Sequence, residues 1–400
     1  MLSGKKVLLG VSASIAAYKS AFIVRELIKA GAEVKVILTP AARDFVTPLT
    51  LSTLSKNPVL SSFTHEDDEN EVWNNHVDLG LWADLFLIAP ATANTLSKMA
   101  QGESDNLLIA TYLSAKCPVY IAPAMDLDMY QHGSTKANLN TLESFGNQII
   151  AATSGELASG LVGEGRLAEP HEIVAFIQTD LAKKMPWAGK TVVITAGPTY
   201  EAIDPVRFIG NYSSGKMGFS LAQVCAEKGA KVHLISGPTA LSLDHANVQI
   251  QRVKSAEDMN RAAQALFPEA DIAIASAAVA DYKPKEMAPE KIKKDGSAPT
   301  IELIENPDIL AEWGRRKEKQ IVVGFALETN NEEANAQAKL AKKNVDVIVL
   351  NSLRNDGAGF GHDTNQVILF DRNNKRVETG LKSKMEIAKD IAEFIDREWL

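Results

Sequence analysis

Residues 191–236 constrain the fold of this 400-residue chain more than any other stretch of its sequence. They begin with an apolar run, TVVIT, which predicts a buried parallel strand. A long polar loop follows, and after it come a helical pattern at residues 218–228 and a second strand at residues 231–236. Because open α/β sheets bind ligands at the carboxyl ends of their strands, this order predicts a ligand site in the loop.

The loop carries groups that bind anions, among them Arg207, Asn211 and Lys216. Its closing segment, residues 210–217, reads GNYSSGKM and approaches the P-loop pattern G-x-x-x-x-G-K-[ST]. Met217 replaces the hydroxyl residue that would hold magnesium, and the preceding strand ends well before the segment, so a P-loop is disfavoured. Two interpretations stay open. One is a Gly/Ser turn that only caps a helix, and the other is an anion site of another kind at the helix start.

Composition limits the class of protein. An apolar content of 46% in 400 residues is sufficient for the cores of two ordinary domains. The net charge of −8 is moderate and mixed along the chain, so we expect no nucleic-acid partner. No apolar run approaches the roughly 20 residues that span a bilayer, and the start lacks a signal pattern, so we expect a cytoplasmic protein without a membrane partner. The only cysteines, Cys117 and Cys225, rule out a disulfide framework, and no Cys/His cluster predicts zinc.

The first half repeats the pattern of an apolar strand followed by a polar loop. The turn after its first strand contains Ser12 and Ser14 but no G-x-G-x-x-G, so the dinucleotide fingerprint is absent. A phosphate bound by these serines and simple N-capping by a serine explain the turn equally well. His76 precedes the third strand, and both a structural and a catalytic role are open for it. The predicted strands are residues 5–10, 33–39, 85–90 and 119–123.

Residues 154–170 are rich in glycine and predict a mobile loop or a short hairpin that covers an active site. A linker near residue 187 then divides the chain into predicted domains 1–187 and 188–400. The second half again shows parallel strands, at residues 271–275, 321–326 and 345–351, an antiparallel edge strand at residues 366–370 and a terminal helix at residues 383–399.

The second half also has basic residues of open role. Lys291, Lys293 and Lys294 form a cluster that either faces solvent or neutralises a triphosphate. Lys339 and Lys343 share one helical face at i,i+4 spacing.

Five motifs, in this order, resemble those of the bacterial bifunctional phosphopantothenoylcysteine decarboxylase / phosphopantothenate–cysteine ligase family of coenzyme A synthesis. The resemblance covers essentially the whole chain. It implies an α/β protein with two doubly wound, mostly parallel sheets, a flavodoxin-like flavoprotein half followed by a Rossmann-like ligase half. The motifs are PATANT at 90–95, PAMDLDM at 123–129, DPVRFIGNYSSGKMG at 204–218, AAVADY at 277–282 and EKIKK at 290–294.

For the first half, the resemblance implies an FMN-dependent decarboxylase of 4'-phosphopantothenoylcysteine. The flavin would accept hydride equivalents from the thiol side of the substrate, and the resulting thioaldehyde would stabilise the carbanion left by carbon dioxide. His76 matches the active-site histidine of the family. The positions that match flavin contacts are Ser12, Ser14, Thr39, Thr92, Ala93, Asn94 and Asn106.

This half departs from the family at two positions that matter for proton transfer. Asp126 stands where the family has asparagine, and Ser159 stands where it usually has a cysteine acid. A serine hydroxyl is a far weaker acid than a thiol, whose pKa is about 8.5. Either the flavin half is impaired or regulatory, or Asp126 in its protonated form replaces the missing acid. We favour the second interpretation.

For the second half, the resemblance implies a ligase that uses CTP with Mg²⁺ to join cysteine to 4'-phosphopantothenate. The substrate carboxylate would attack the α-phosphate of CTP, and the cysteine amine would then displace CMP from the acyl-cytidylate. Asn211 matches the residue that handles this intermediate, Arg207 the residue that stabilises its charge, and Lys291 a catalytic lysine. The nucleotide-binding positions are Ala277, Asp281, Lys291, Asn306, Pro307, Asp308, Ile309, Phe325, Lys339 and Lys343.

The family also implies homo-oligomers, with trimeric flavin domains and dimeric ligase domains. A nicotinamide-dependent oxidoreductase is the alternative from another enzyme class. It is disfavoured because neither half has the glycine fingerprint of dinucleotide binding.

Overall fold

The computed structural model describes residues 2–64, 73–293, 300–328, 330–352 and 363–400. The chain divides into two units, Met1–Ala182 and Lys183–Leu400, a few residues before the predicted boundary at residue 187. No helix in the described ranges is both long and apolar enough to cross a membrane.

In the described part of the first unit, a six-stranded sheet is accompanied by a two-stranded hairpin. The strands are β1 (Lys6–Val11), β2 (Glu33–Leu38), β3 (Val59–Leu60), β4 (Leu85–Ala91), β5 (Val119–Pro123), β6 (Gln148–Ile149), β7 (Thr153–Glu156) and β8 (Val162–Arg166). The α-helices are α1 (Ser20–Lys29), α2 (Pro48–Ser55), α3 (His76–Trp82), α4 (Ala93–Gln101), α5 (Leu107–Ser114), α6 (Leu127–Gln131), α7 (Gly133–Ser144) and α8 (Pro170–Lys183), and the 3₁₀ helices are Ile15–Lys19 and Pro40–Asp44.

The six-stranded sheet is parallel throughout and has the order β3-β2-β1-β4-β5-β6. Without the two-residue edge strand β3, this is the flavodoxin order, with its switch point between β1 and β4. Successive strand residues enter different cores, since Val7 and Leu9 pack on one face and Leu8 and Phe86 on the other. Burial on both faces explains why these strands appear as continuous apolar runs. The predicted doubly wound parallel sheet is confirmed.

The described part of the second unit has one large sheet, three two-stranded pairs of short strands, and α-helices on both faces of the large sheet. Its strands are β9 (Thr191–Ala196), β10 (Tyr200–Ala202), β11 (Phe208–Gly210), β12 (Lys231–Ser236), β13 (Val248–Arg252), β14 (Ile272–Ala275), β15 (Tyr282–Pro284), β16 (Leu303–Glu305), β17 (Ile321–Glu328), β18 (Val347–Ser352), β19 (Thr364–Asn365), β20 (Val367–Asp371), β21 (Arg376–Glu378) and β22 (Lys382–Ser383). Its helices are α9 (Lys216–Glu227), α10 (Ala256–Leu266), α11 (Ile309–Arg316), α12 (Glu332–Lys342) and α13 (Lys384–Trp399), with a 3₁₀ turn at Phe267–Glu269.

The large sheet of the second unit has the order β13-β12-β9-β14-β17-β18-β20-β21, with its switch point between β9 and β14. The first six strands in this order are parallel to one another, whereas β20 pairs antiparallel with β18 and with β21. Helices α9 and α13 pack together on one face, where Leu221 and Ile387 share a core. Helices α10, α11 and α12 cover the other face, where Met259, Trp313 and Ala336 are buried.

Two predicted features differ from the structure. Residues 366–370 do form an antiparallel strand, but β21 pairs with its outer side, so the prediction of an edge strand is wrong. The long loop after β9 contains the hairpin β10–β11, in which the rings of Tyr200 and Phe208 stack with centroids 3.8 Å apart. Both β21 and this hairpin consist of three-residue strands, too short to produce a recognisable alternation of polar and apolar residues.

Candidate functional site

Polar side chains of the first unit follow neighbouring strands at the carboxyl edge of its sheet. Ser12 follows β1, and its buried Oγ donates to the carbonyl oxygen of Pro90 at 2.7 Å and accepts from the amide of Thr92 at 3.0 Å. Ser12 therefore ties the loops after β1 and β4 together. Thr39 follows β2, and its Oγ1 is buried with no hydrogen-bond partner within the described ranges. A bound ligand with a polar group would satisfy this hydroxyl, which is costly to bury alone.

Three predicted flavin residues cap helices of the first unit. The side chains of Ser14, Thr92 and Asn106 accept hydrogen bonds from backbone amides at 3.2, 3.4 and 3.2 Å. In the structure, Ser14 therefore acts as an N-cap, which is one of the two interpretations of this turn. Ala93 and the exposed Asn94 begin α4. Helix starts at the carboxyl edge of a sheet favour anionic groups such as a phosphate.

His76 is the first residue of α3 and lies beside two aromatic rings. Its imidazole meets Phe63 and Trp73 edge-on, with centroid separations of 6.3 and 6.4 Å. Its Nδ1 is buried, and the described residues offer it no hydrogen-bond partner. A histidine with a purely structural role usually has its buried nitrogens satisfied, so this atom is available to a ligand.

The hairpin β7–β8 packs against the loop that carries Asp126. The amide of Met125 donates to the carbonyl oxygen of Gly165 at 2.9 Å. Gly165 has a φ of +146°, and a Cβ there would overlap the carbonyl oxygen of Met125. Asp126 precedes α6, and its side chain makes no capping hydrogen bond. Ser159 lies in the exposed turn of the hairpin, where its Oγ accepts from the amide of Leu161 at 3.4 Å.

The second unit has a cavity of about 680 Å³ at the carboxyl ends of β9, β14, β17 and β18. It is lined by Asn211 and by every predicted nucleotide position except Lys291. The lining positions are Ala277, Asp281, Asn306, Pro307, Asp308, Ile309, Phe325, Lys339 and Lys343. The cavity also crosses the switch point, where open α/β sheets bind ligands.

Two lysines occupy one side of this cavity. Lys339 donates from Nζ to the carbonyl oxygen of Phe325 at 2.9 Å, and burial lowers its pKa. Lys343 forms an ion pair with Asp308, which also accepts from the amide of Ala311 at 2.8 Å as the N-cap of α11. The two ammonium groups can bind the phosphates of a nucleotide, because lysine is a point-charge ligand for phosphate.

Asn211 reaches the same cavity from the loop after β11. Its Nδ2 donates to the carbonyl oxygens of Ala278 and Val279 at 3.0 and 3.2 Å. These bonds fix the orientation of the amide and leave its Oδ1 as an acceptor. Asn306 and Asn351 also line the cavity, and each has a buried Oδ1 without a partner among the described residues. A ligand with N–H or O–H donors would satisfy them.

Arg207 and Lys291 are not among the residues that line the cavity. Arg207 donates through Nε to the buried carboxylate of Asp204 at 2.9 Å and through Nη2 to the carbonyl oxygen of Ile292 at 2.8 Å. The Arg207 hydrogen bonds hold the pKa of Asp204 well below its usual range. Arg207 therefore anchors the segment that bears the exposed Lys291 and Lys293.

The predicted basic cluster extends to Lys294, which lies outside the described residues. Within the described part of the chain, no group of three or more His, Cys, Asp or Glu side chains is arranged to hold a metal ion. Magnesium that accompanies a nucleotide is typically bound by the phosphates together with one or two carboxylates. Among the predicted nucleotide-binding positions, Asp281 and Asp308 have carboxylates, and both line the cavity.

Asn351 and Lys384 are among the residues lining the cavity that sequence reasoning missed. Asn351 belongs to the end of β18, where polar residues of a parallel strand face ligands. Lys384 follows Ser383, whose capping box with Glu386 marks the start of α13. A lysine in the first turn of a helix opposes the helix dipole, and this is the signal that could have drawn attention to it.

Comparisons with known proteins agree with this division. Residues 1–182 match the family Flavoprotein, and residues 187–398 match the DNA/pantothenate metabolism flavoprotein C-terminal domain. A Cysteine/Cysteine sulfinic acid decarboxylase from an unknown prokaryotic organism is 54% identical over 351 residues, which cover 86% of this chain and 97% of that protein.

Two further relatives carry one name, Coenzyme A biosynthesis bifunctional protein CoaBC. The Bacillus subtilis protein is 45% identical over 397 residues, covering 99% of this chain and 97% of that protein. The Haemophilus influenzae protein is 43% identical over 398 residues, covering 99% and 98%. The chain therefore belongs to the family of bifunctional coenzyme A biosynthesis proteins, in which a flavoprotein domain precedes a DNA/pantothenate metabolism flavoprotein C-terminal domain.

Proposed function

We propose that this protein carries out two consecutive steps of coenzyme A synthesis. Its second unit ligates cysteine to 4'-phosphopantothenate with CTP, and its first unit decarboxylates the product, 4'-phosphopantothenoylcysteine, with FMN. It acts in the cytoplasm as a homo-oligomer of trimeric flavin domains and dimeric ligase domains. The observation that carries the proposal is the cavity that holds Asn211 together with Lys339 and Lys343 in a member of this family.

The ligase reaction needs two anions to meet. In the first step, an oxygen of the substrate carboxylate forms a bond to the α-phosphorus of CTP, and the bond from that phosphorus to the β-phosphate oxygen breaks. Lys339 and Lys343 reduce the repulsion between these anions, because they place positive charge in the cavity. The Oδ1 atoms of Asn306 and Asn351, which have no partner among the described residues, accept hydrogen bonds from the amine or hydroxyl groups of the nucleotide.

In the second step, the cysteine nitrogen bonds to the acyl carbon, the bond from that carbon to the cytidylate oxygen breaks, and the nitrogen loses a proton. Asn211 is held by two backbone carbonyls, so its Oδ1 keeps a fixed position as a hydrogen-bond acceptor. We assign this oxygen to orienting the attacking amine. Such positioning contributes a large part of the rate in reactions between two bound substrates.

The residues at the first switch point fit FMN. Thr39 Oγ1 and His76 Nδ1 are buried polar atoms that no described residue satisfies, and the start of α4 favours a phosphate. When bound, FMN supplies the oxidising power for the thiol end of the substrate. His76 and Asp126 then hold or move protons, since each lies at the carboxyl edge of the sheet with a polar atom not used in capping. Ser159 would approach the flavin site only if the hairpin β7–β8, which packs on the loop of Asp126, carried it there.

A second candidate for the first unit comes from the relative with 54% identity, which is named for cysteine and cysteine sulfinic acid decarboxylation. That activity would use free cysteine or its sulfinic acid in place of the phosphopantothenoyl conjugate. The same flavin-site residues would serve either substrate. With free cysteine, the two candidates differ in what the site accepts beyond the cysteine moiety, and with the sulfinic acid they differ at the sulfur atom as well.

The test uses the full chain supplied with FMN, Mg²⁺, CTP, 4'-phosphopantothenate and cysteine. We expect pyrophosphate and CMP to form with the amide product, followed by carbon dioxide and 4'-phosphopantetheine. Omitting CTP should stop both steps, while adding 4'-phosphopantothenoylcysteine should restore the second. Folded protein that releases no pyrophosphate with CTP or ATP would contradict the ligase assignment. Faster carbon dioxide release from free cysteine or its sulfinic acid would favour the second candidate. Reduction of a substrate by NAD(P)H in the absence of flavin would support the oxidoreductase alternative.

A further inference from the structure

The cavity of the second unit has a second pair of lysines, which belong to helices on the opposite face of the sheet from those of the first pair. Lys339 and Lys343 belong to α12 and its C-cap, on the face of the sheet covered by α10 to α12. Lys216 and Lys384 are the first residues of α9 and α13, which pack on the opposite face. All four lysines line the cavity. The cavity therefore extends across the carboxyl edge of the sheet and has positive charge on both faces.

Lys384 places an ammonium group at the start of α13. Its side chain is buried, with 9% of the residue exposed, and burying an ammonium group costs free energy. It also lies in the first helical turn, where the helix dipole favours negative charge. Burial, followed by repulsion from Lys216, lowers the pKa of Lys384. An anion bound here would be attracted by the neighbouring ammonium groups of Lys216 and Lys384.

The charge on Lys216 is only weakly compensated. Its ammonium group pairs with Asp363, whose side chain is 81% exposed. Exposed ion pairs contribute little to stability and are easily exchanged for another anion. The backbone of Asp363 is also tied to the site, because its carbonyl oxygen accepts from the amide of Lys384 at 3.0 Å. The Asp363 carboxylate thus lies where a stronger anion would compete for Lys216.

The loop before α9 adds hydroxyl and amide groups to this corner. Ser213 and Ser214 line the cavity, and Thr239 Oγ1 holds the loop by donating to the carbonyl oxygen of Ser214 at 2.9 Å. Gly218 lets α9 begin against the sheet, since a Cβ there would overlap the side chain of Ala196. A second cavity of about 290 Å³ shares Lys216 and Lys384, so the two lysines lie at the junction of two cavities.

We propose that Lys216 and Lys384 form a phosphate-binding subsite of the ligase, distinct from the site of Lys339 and Lys343. This inference rests on the proposed function, which brings two phosphorylated substrates into one cavity. Two ammonium groups with neighbouring serine hydroxyls suit a phosphate better than a carboxylate, because a phosphate has more charge and more acceptor oxygens. The phosphate belongs either to the triphosphate of CTP or to the monoester of 4'-phosphopantothenate.

The experiment measures Michaelis constants for both phosphorylated substrates and for cysteine, in the full chain and in Lys216→Met and Lys384→Met. Removing one charge-assisted contact should raise the Michaelis constant for one phosphorylated substrate by about ten- to a hundredfold. The Michaelis constant for cysteine should stay within about twofold. Lys389→Met is the matched control, because it removes the same charge from an exposed position of α13 outside both cavities.

Calorimetry with inorganic pyrophosphate identifies the source of the phosphate. If the subsite takes the triphosphate, both variants should weaken pyrophosphate binding together with CTP. If it takes the monoester, pyrophosphate binding should be unchanged while the Michaelis constant for the phosphopantothenate substrate rises. Thermal unfolding of each variant without ligand checks the fold, and the half-exposed Lys216 provides the variant least expected to disturb it.

The inference is overturned if the Michaelis constants for both phosphorylated substrates stay within about twofold of the parent in both folded variants. It is also overturned if Lys389→Met has the same effect, since that would indicate a general loss of positive charge. Failure of the proposed function looks different. In that case the unmutated chain itself would form no amide product.

Discussion

The Nε atom of Arg207 lies 2.9 Å from the buried Oδ2 of Asp204, and the same oxygen accepts from the amide of Ile292 at 3.2 Å. One carboxylate thus joins the loop after β10 to the segment that bears Lys291. Asp204 also accepts from the amides of Val206 and Arg207 at 2.8 Å, which closes the turn. The position of Lys291 therefore depends on the contact between Arg207 and the neighbouring Ile292, which are 85 residues apart in the chain.

Lys291→Gln should chiefly slow formation of the acyl-cytidylate. A lysine that approaches the triphosphate stabilises charge that grows in the transition state, and losing one such group typically slows catalysis about a hundredfold. Rapid-mix measurement of pyrophosphate release tests this expectation. Lys293→Gln, two residues away and also exposed, is the control. Near-normal pyrophosphate release in Lys291→Gln would place this lysine on a solvated surface instead.

Asp204→Asn should reproduce the defect of Lys291→Gln without removing the lysine. The neutral amide forms no ion pair with the guanidinium of Arg207, so the anchor of the segment around Ile292 is weakened. The pH dependence should change as well. Folding lowers the pKa of Asp204, so its contribution to stability is complete above the unfolded value and is lost as pH falls through the folded value.

Acid unfolding measured by circular dichroism should therefore be less steep in Asp204→Asn than in the parent. A variant with the same acid transition and normal pyrophosphate release would show that the anchor is not needed. Glu312→Gln serves as a comparison, because Glu312 has an arginine partner at 2.6 Å on α11 rather than in the segment.

Asn211→Asp should slow amide formation more than pyrophosphate release. The new carboxylate loses the donor that binds the carbonyl oxygens of Ala278 and Val279, and it repels the acyl intermediate. Removing one positioned polar group of this kind costs roughly a hundredfold or more in kcat. Single-turnover measurements of pyrophosphate and amide product separate the steps. Equal loss of both would indicate that Asn211 binds the nucleotide or only supports the loop.

Asp126→Asn should leave the flavin reduced after a single turnover, if Asp126 is the proton donor that replaces the missing cysteine. Ser159 lies in the exposed hairpin turn and is too weak an acid to serve. Adding Ser159→Cys to this variant should restore turnover. Flavin absorbance after mixing with 4'-phosphopantothenoylcysteine, with analysis of the products, measures both effects. Turnover of Asp126→Asn at the parental rate would assign the proton to another donor, such as Glu156 or Tyr130.

Lys339 should set the alkaline limit of CTP use. Burial lowers its pKa from the usual value of 10.5, so its charge is lost at a lower pH than that of an exposed lysine. The ratio kcat/KM for CTP, which reports the free enzyme, should therefore fall as pH rises through this lowered pKa. Lys339→Arg keeps its charge and should move the fall to higher pH. Lys342→Arg, an exposed residue of the same helix, should leave the profile unchanged.

The central parallel strands could be predicted because they are buried on both faces and therefore appear as continuous apolar runs. The partly exposed parallel strands β3, β6 and β13 were not predicted. Helix α10 was not predicted, although Ser255 and Asp258 form a capping box at its start. Its periodicity is carried mostly by alanines such as Ala262 and Ala263, which give a weak apolar signal. Short hairpins such as β10–β11 left no periodic pattern at all.

The sites could be predicted only where a motif was continuous in sequence. The motif at residues 204–218 correctly located the loop at the cavity, but its Arg207 turns away to bind Asp204. Asn351 and Lys384 come from the end of one strand and the start of the last helix. Residues so far apart become neighbours only when the sheet and its covering helices are assembled. No local sequence pattern therefore predicts that they share a site.

The cavity has a consequence for how such a protein can change over generations. Its lining residues run from Thr195 to Lys384, all within the second unit. A gene broken near residue 187 would keep the whole lining on one product, and a gene fusion would add a flavoprotein without altering it. Selection can therefore change the flavin half, including the position of Asp126, while the ligase half stays under its own constraints.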